Sequence, residues 1–206
     1  MRKACAAAVD AALGAGASYA DARAILRRSQ SVGTRNGRVI TLTDAESEGI
    51  GVRVLVGGSW GFACDRRLDE TGAREAALRA CAFAAAAGGN GGRALAPLEI
   101  RSGSFRPSAE IDPFAVPLED KVALCLRAEE AMRRPEVKVA QASVRALREQ
   151  KLFLSSDGAE IDQELVESGG GIDATAVGED GIVQQRSYPS AHVGSRLRPS
   201  TYSHPA

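Results

Sequence analysis

Histidine is nearly absent from this chain of 206 residues: there are two, His192 and His204. They stand too far apart to be neighbours on one helical face, and no glutamate follows either one. A metal centre needs several convergent ligands, so these two carry none of the usual zinc patterns. Cysteine is also sparse and scattered, at Cys5, Cys64, Cys81 and Cys125 with no C-x-x-C pair. That excludes a zinc ribbon or a thioredoxin-type redox motif and predicts four reduced thiols in a cytoplasmic setting. Aromatic residues make up 4% of the chain, and lysine plus arginine balances aspartate plus glutamate at 26 each. A nucleic-acid partner needs a concentrated basic face, which a neutral chain with scattered arginines does not supply. Long apolar runs are missing too. The opening MRKACAAAVDAALGAG is broken by Asp10, which argues against a signal peptide, and no stretch reaches the length of a membrane span.

The catalytic motifs are likewise absent. No G-x-S-x-G elbow occurs, and Ser155-Ser156-Asp157-Gly158 reads as a polar hairpin turn. Cys64 precedes Asp65 but has no histidine partner. The carboxylate pairs Glu46/Glu48, Glu129/Glu130 and Glu179/Asp180 fall on expected turns or helix surfaces, with nothing to drive their pKa values apart. In GIGVRVLVGGSWGFACD, Gly49 to Asp65, the glycines do not open a helix, and Val54 stands where a third fingerprint glycine belongs. The residues therefore yield no catalytic, cofactor-binding or metal-binding set.

What the chain does have is alanine, glycine and β-branched residues, at 44% hydrophobic overall. Alanine buries little area, so the core should be thin and lean on Trp60, Phe62, Phe83, Phe114 and Phe153. Residues 2–14 read as an alanine-rich helix. YADARAILRRSQSVGTR and RVITLTDAE read as strands joined by Asn36-Gly37, a strong hairpin signal. Ile50 to Val56 and SWGFACD form a second hairpin around Gly57-Gly58. Leu68 to Ala87 is a helix capped by Asp69 or Thr71 and ended by the glycine run Gly88 to Gly92. A proline-dotted segment with a short strand near LEIRSG leads to a helix from Pro117 to about Arg134. Strands follow at Val137–Leu147, Lys151–Ser155, Glu160–Val177 and Ile182–Tyr188, with Asp157-Gly158 as a further turn. The order predicts an α+β fold, a mostly antiparallel β-sheet with helices packed on one face, faintly duplicated into two similar α/β halves. Beyond Ser187 the low apolar content and the prolines predict a disordered tail.

Several segments in order resemble the N-terminal domain of the TldD/PmbA family, long labelled modulators of DNA gyrase and understood as zinc-dependent peptidases. They are YADAR (Tyr19 to Arg23), RNGRV (Arg35 to Val39), GIGVRVLVGGSWGFACD, EAALRACAFA, DPF-x-VPLEDKVAL (Asp112 to Leu124), FLSSDGAEIDQ (Phe153 to Gln163) and QQRSYP (Gln184 to Pro189). The resemblance implies residues 1–189 as a family N-terminal domain, with 190–206 a disordered or non-native tail. It also implies zinc held by an H-E-x-x-x-H helix in a later half of such proteins, for which no residue here is a match. After QQRSYP this chain departs from the family into AHVGSRLRPSTYSHPA, which suggests a truncated or frameshifted product or a stand-alone domain. The implied function is the N-terminal domain of a zinc metallopeptidase, inactive alone. The alternative is a non-catalytic PmbA-like module that pairs with a full-length family member. The implied partners are a family member in a homo- or heterodimer and an extended or unfolded peptide, with no nucleic acid and no membrane.

Overall fold

The structure, a computed structural model, describes residues 1–88, 99–107 and 110–194, the last six by backbone alone. The elements run α1 (Arg2–Gly14), β1 (Tyr19–Arg35), β2 (Arg38–Val56), β3 (Ser59–Asp65), α2 (Glu70–Ala86), β4 (Ser102–Phe105), α3 (Leu118–Met132), β5 (Val137–Ser155), β6 (Glu160–Val177) and β7 (Val183–Gly194). Strand neighbours follow the order β3-β2-β1-β5-β6-β4, with β7 on β6. The fold is a mostly antiparallel sheet with helices, as the residue pattern predicts; the short β4 pairs parallel with β6. Asn36 (φ 49°) and Gly37 (φ 78°) both take the left-handed conformation that a tight two-residue hairpin needs.

Several boundaries differ from those expected. The segments around Arg38–Glu46 and Ile50–Val56 form one strand of 19 residues, β2, and Val137–Ser155 is likewise unbroken. Gly169 to Gly171 loosen β6 as a register shift between Gly170 and Ile172. Strand β7 runs to Gly194, past Pro189 and into the segment expected as tail, while 195–206 lie outside the described residues. So does most of the expected glycine loop after α2.

The chain divides into two compact units that interleave along the sequence instead of following one another. The first comprises Met1–Arg27, Glu46–Arg106 and Glu149–Glu164, the second Arg28–Ala45, Pro107–Arg148 and Leu165–Ala206.

In the first unit α1 and α2 share a core with Ala20, Ala22 and Ala24 of β1 and Ile50, Val52 and Val54 of β2. Ala73, Ala76, Ala77, Ala80 and Ala84 recur every three or four residues and form the buried stripe of α2. Small side chains let backbones approach. A Cβ built on Gly61 of β3 would lie 2.0 Å from the Ala80 carbonyl oxygen and 2.9 Å from the Ala84 Cβ. Glycine is therefore required there by contact, not by backbone angle. Asp69 caps α2 by accepting from the Gly72 amide at 2.7 Å.

The aromatic core expected from composition is not present. Trp60, Phe62 and Phe83 are exposed by 46%, 58% and 57%, and Phe114 and Phe153 are only half-buried. On β3 the alternation puts Gly61 and Ala63 under α2 and turns Trp60 and Phe62 the other way. There is no room for a ring where Gly61 touches the helix backbone.

In the second unit α3 packs through Cys125 on Val32 of β1 and Ala142 of β5, with Leu118 and Val122 alongside. This apolar cluster is small, and several buried side chains around it are polar.

Candidate functional site

In the first unit the strand face away from the helices carries a stacked polar and aromatic group. The ring of Tyr19 meets that of Trp60 edge-on, centroids 5.9 Å apart. The Arg53 guanidinium lies 4.8 Å from the Trp60 ring centre, within cation–π range. Arg53 also donates to Asp21 Oδ2 through Nε at 2.8 Å and pairs with it through Nη2 at 2.6 Å. Asp21 is fully buried and has Arg23 at 3.3 Å on its other oxygen; Arg23 in turn stacks over Phe153 at 5.1 Å. Burial and the Asp21 carboxylate push the Tyr19 phenol up. Cross-strand alternation places these residues together, because Tyr19, Asp21 and Arg23 share one side of β1. The group can hold a partner's anionic or π surface, but it contains no nucleophile–base pair. Beside it a recess of about 420 Å³ is lined by Ile25, Gly51, Phe62 and Cys64 among others.

The second unit carries a denser polar cluster. Lys121 is buried and donates to Gln30 Oε1 and to the Pro113 carbonyl, the latter at 2.6 Å. Burial lowers the Lys121 ammonium below its ordinary value. Gln30 donates to Asp44 at 2.9 Å, and Arg28 grips both Asp44 oxygens at 3.0 and 2.7 Å. Arg28, Lys121 and Arg148 all lie within 6 Å of the Phe114 ring centre, at 5.2, 5.9 and 5.0 Å. Asp112 accepts from the Phe114 amide at 2.9 Å and from Arg148 at 2.7 Å, which together hold its carboxyl low. Glu129, expected on a helix surface, is instead 2% exposed. Its spacing four residues after Cys125 and seven after Val122 puts it on the inward face of α3, a signal present in the sequence but overridden by its charge.

The sequence pattern described as PmbA/TldA metallopeptidase domain 1 matches residues 20–87, and that of the PmbA/TldA metallopeptidase central domain matches residues 111–199. The chain belongs to the TldD/PmbA-like metallopeptidase family. A metalloprotease of Synechocystis is 32% identical over 145 residues, covering 67% of this chain and 31% of that protein. A metalloprotease of Methanothermobacter thermautotrophicus is 28% identical over 170 residues, covering 79% of this chain and 35% of that one. The chain thus spans about a third of the length of these relatives. Among solved structures, a Bacteroides thetaiotaomicron protein described as a modulator of DNA gyrase superposes with a TM-score of 0.78 at 18% identity, over 91% of this chain and 44% of that one. TldE from Thermococcus kodakarensis gives 0.65 at 14% identity, over 89% and 42%. At these identities the two structures speak for the fold.

Among the described residues the chain shows no ligand set for the zinc that the resemblance implies. No three of its His, Cys, Asp and Glu side chains there come together as ligands. His192 lies in β7 opposite Gly169, and His204 lies outside the described residues. Cys5, Cys81 and Cys125 are buried singly, and burial raises each thiol pKa, which keeps them protonated and inert. Cys64 is exposed, but its neighbour Asp65 is held by Arg67 and Arg79, which keep the carboxyl well below the usual carboxylate range. That makes it a weak base at neutral pH. Ser155 is buried in the β5–β6 turn, its hydroxyl 3.3 Å from the Ala159 amide, and the Ser156 hydroxyl accepts from the Ala20 amide at 3.1 Å. Both serines do turn work. No helix here is long and apolar enough to cross a membrane among the described residues.

Proposed function

We propose that this chain is a non-catalytic N-terminal module of a TldD/PmbA-like zinc metallopeptidase, supplying surface for substrate and for assembly while zinc chemistry belongs to a separate domain of such proteins. The observation that carries this reading is the pair of matches to the family's first and central domains, on a chain spanning about a third of its metalloprotease relatives. Strand β3 stands last in the strand order, so its outer edge suits addition of an extended peptide. The expected substrate class is extended or unfolded polypeptide.

A second reading has a specific observation behind it. Trp60 and Phe62, exposed side by side with the Arg53 stack, suit a protein contact better than bare solvent. On this reading the module pairs with a full-length family member without touching substrate.

The test is zinc analysis and cleavage of an unfolded polypeptide by the purified chain, alone and mixed with a full-length family metalloprotease, with light scattering on each mixture. We expect no zinc, no cleavage alone and a mixed complex. Stoichiometric zinc with chelator-sensitive cleavage by the chain alone would overturn the non-catalytic reading. A complex whose cleavage is unchanged favours the second reading over the first.

A further inference from the structure

Within the second unit, Glu129 presents a need that the described residues leave unmet. The carboxylate is 2% exposed, and its Oε2 accepts from the Gly37 amide at 2.5 Å. Its Oε1 is buried and receives no hydrogen bond from any described residue. A buried carboxylate oxygen is normally met by a donor. Glu129 lines an open recess of about 560 Å³, in the range of small-molecule sites.

The rim of the same recess has the opposite surplus. Arg133, Arg134 and Lys138 line it. Arg133 turns Nε to Glu130 at 2.9 Å, Arg134 gives one Nη1 hydrogen to the Arg133 carbonyl at 2.5 Å, and Lys138 gives one to the Pro135 carbonyl at 2.9 Å. A guanidinium has five N–H donors and an ammonium three, so each cation has donors left. Asn36 does not supply the missing bond: its Nδ2 donates to the Lys138 carbonyl at 3.1 Å, its Oδ1 accepts from the Ala140 amide at 2.9 Å, and Glu129 Oε1 stays without a donor among the described residues. Those two bonds, with the Asn36 amide on the Ala140 carbonyl at 2.9 Å, also fix the turn that forms one wall. The recess is therefore preorganised.

We propose that this recess binds a small zwitterion carrying a primary ammonium and a carboxylate, the ammonium donating to Glu129 Oε1 and the carboxylate taking the spare donors of Arg133, Arg134 and Lys138. An amine alone leaves the rim cations unanswered. A carboxylate alone meets Glu129 with like charge. Only a molecule with both charges answers floor and rim. This site is independent of the peptidase reading, since it uses neither zinc nor a polypeptide substrate.

The test is a titration of the purified chain with glycine, 4-aminobutyrate and 6-aminohexanoate, with butylamine and butyrate as single-charge controls. The readouts are calorimetry and the amide NMR shift of Gly37, which is bonded to Glu129. The expected result is saturable binding of at least one zwitterion, with a Gly37 shift and an affinity at least about tenfold above both controls. Glu129→Gln keeps an acceptor for Gly37 but sets an amide donor where the bare oxygen was, and should abolish binding. Should that variant not fold, the double variant Arg133→Gln/Lys138→Gln, altered only at exposed positions, should weaken binding at least about tenfold. No saturable Gly37 shift with any zwitterion, butylamine binding as well as the best of them, or unchanged binding in a folded variant would each overturn the proposal.

Discussion

In the first unit the helix side of the strands carries Ala20, Ala22, Ala24 and Gly61, with rows of alanine on α1 and α2 facing them. In the second, the buried side chains on and near α3 include the hydrogen-bonded Gln30, Lys121 and Glu129. One unit is held by close approach of small residues, where dispersion depends on fit. The other is held by hydrogen bonds among buried polar groups, whose loss leaves orphaned partners. The difference makes different substitutions damaging in each, and gives each its own sensitivity to pH.

The largest effect should come from Gly61→Val. Even the Cβ alone would lie 2.0 Å from the Ala80 carbonyl oxygen, and a helix backbone cannot yield as a flexible side chain does. We expect a loss on the order of 3 kcal/mol or failure to fold, read by chemical denaturation. Trp60→Ala, one residue away on the open face, should cost far less, and an equal cost would contradict the close-approach account.

Next is Lys121→Met. The substitution keeps the length but strands Gln30 Oε1 and the Pro113 carbonyl, so we expect a cost of about 1–3 kcal/mol at neutral pH. Because burial lowers the Lys121 pKa, the unfolded chain binds this proton more readily. The wild type should therefore gain stability as pH rises from the folded value toward the ordinary 10.5. Lys121→Met should lose that alkaline gain. A variant with an unchanged alkaline slope would show that the folded ammonium is not destabilised.

These contrasts also show why the sequence revealed the strands better than the core. Helix α1 and strands β1 and β6 follow directly from apolar periodicity and turn residues, and Asn36-Gly37 marks its hairpin by chemistry alone. The aromatic expectation failed because residue size does not say which strand face a helix covers. Gly61 between Trp60 and Phe62, with alanine at three- and four-residue spacing in α2, was the available sign of a close helix–strand contact. Glu129 was misplaced for a different reason. Charge argues for the surface, and its burial depends on the Gly37 amide, 92 residues away in sequence. With two histidines the sequence carries few of the usual catalytic patterns, while the recess beside Glu129 rests on tertiary contacts that no local motif announces.

Two substitutions of intermediate size sharpen the contrast. Asn36→Ala removes both side-chain bonds to β5 and puts alanine at φ 49°, for an expected cost of about 1–3 kcal/mol in thermal or chemical unfolding. Asp69→Ala removes the α2 cap at Gly72 and should cost about 1 kcal/mol. If the cap variant proved the more damaging, the turn would not be the stronger anchor.

The smallest effect should be an acid limb set by Asp44. Arg28 first, and then Gln30, lower its carboxyl from the ordinary 3.8 to about 2. A depressed folded pKa means that the unfolded chain takes up the proton first as pH falls. The stabilisation is therefore complete above the unfolded value and is lost as pH falls through the folded one. Asp44→Asn should differ from wild type most at neutral pH, with the difference closing between about pH 4 and pH 2 and shrinking in salt. Asp65 in the first unit, gripped by Arg67 and Arg79, is held lower still. On mild acidification Asp44 should thus take up its proton before Asp65 does. Hydrogen exchange near pH 3 reads this directly: protection should fall around Asp44 and α3 while α2 and β3 stay protected. Earlier opening of α2 and β3 would mean that the alanine packing, not the buried polar set, is the weaker of the two.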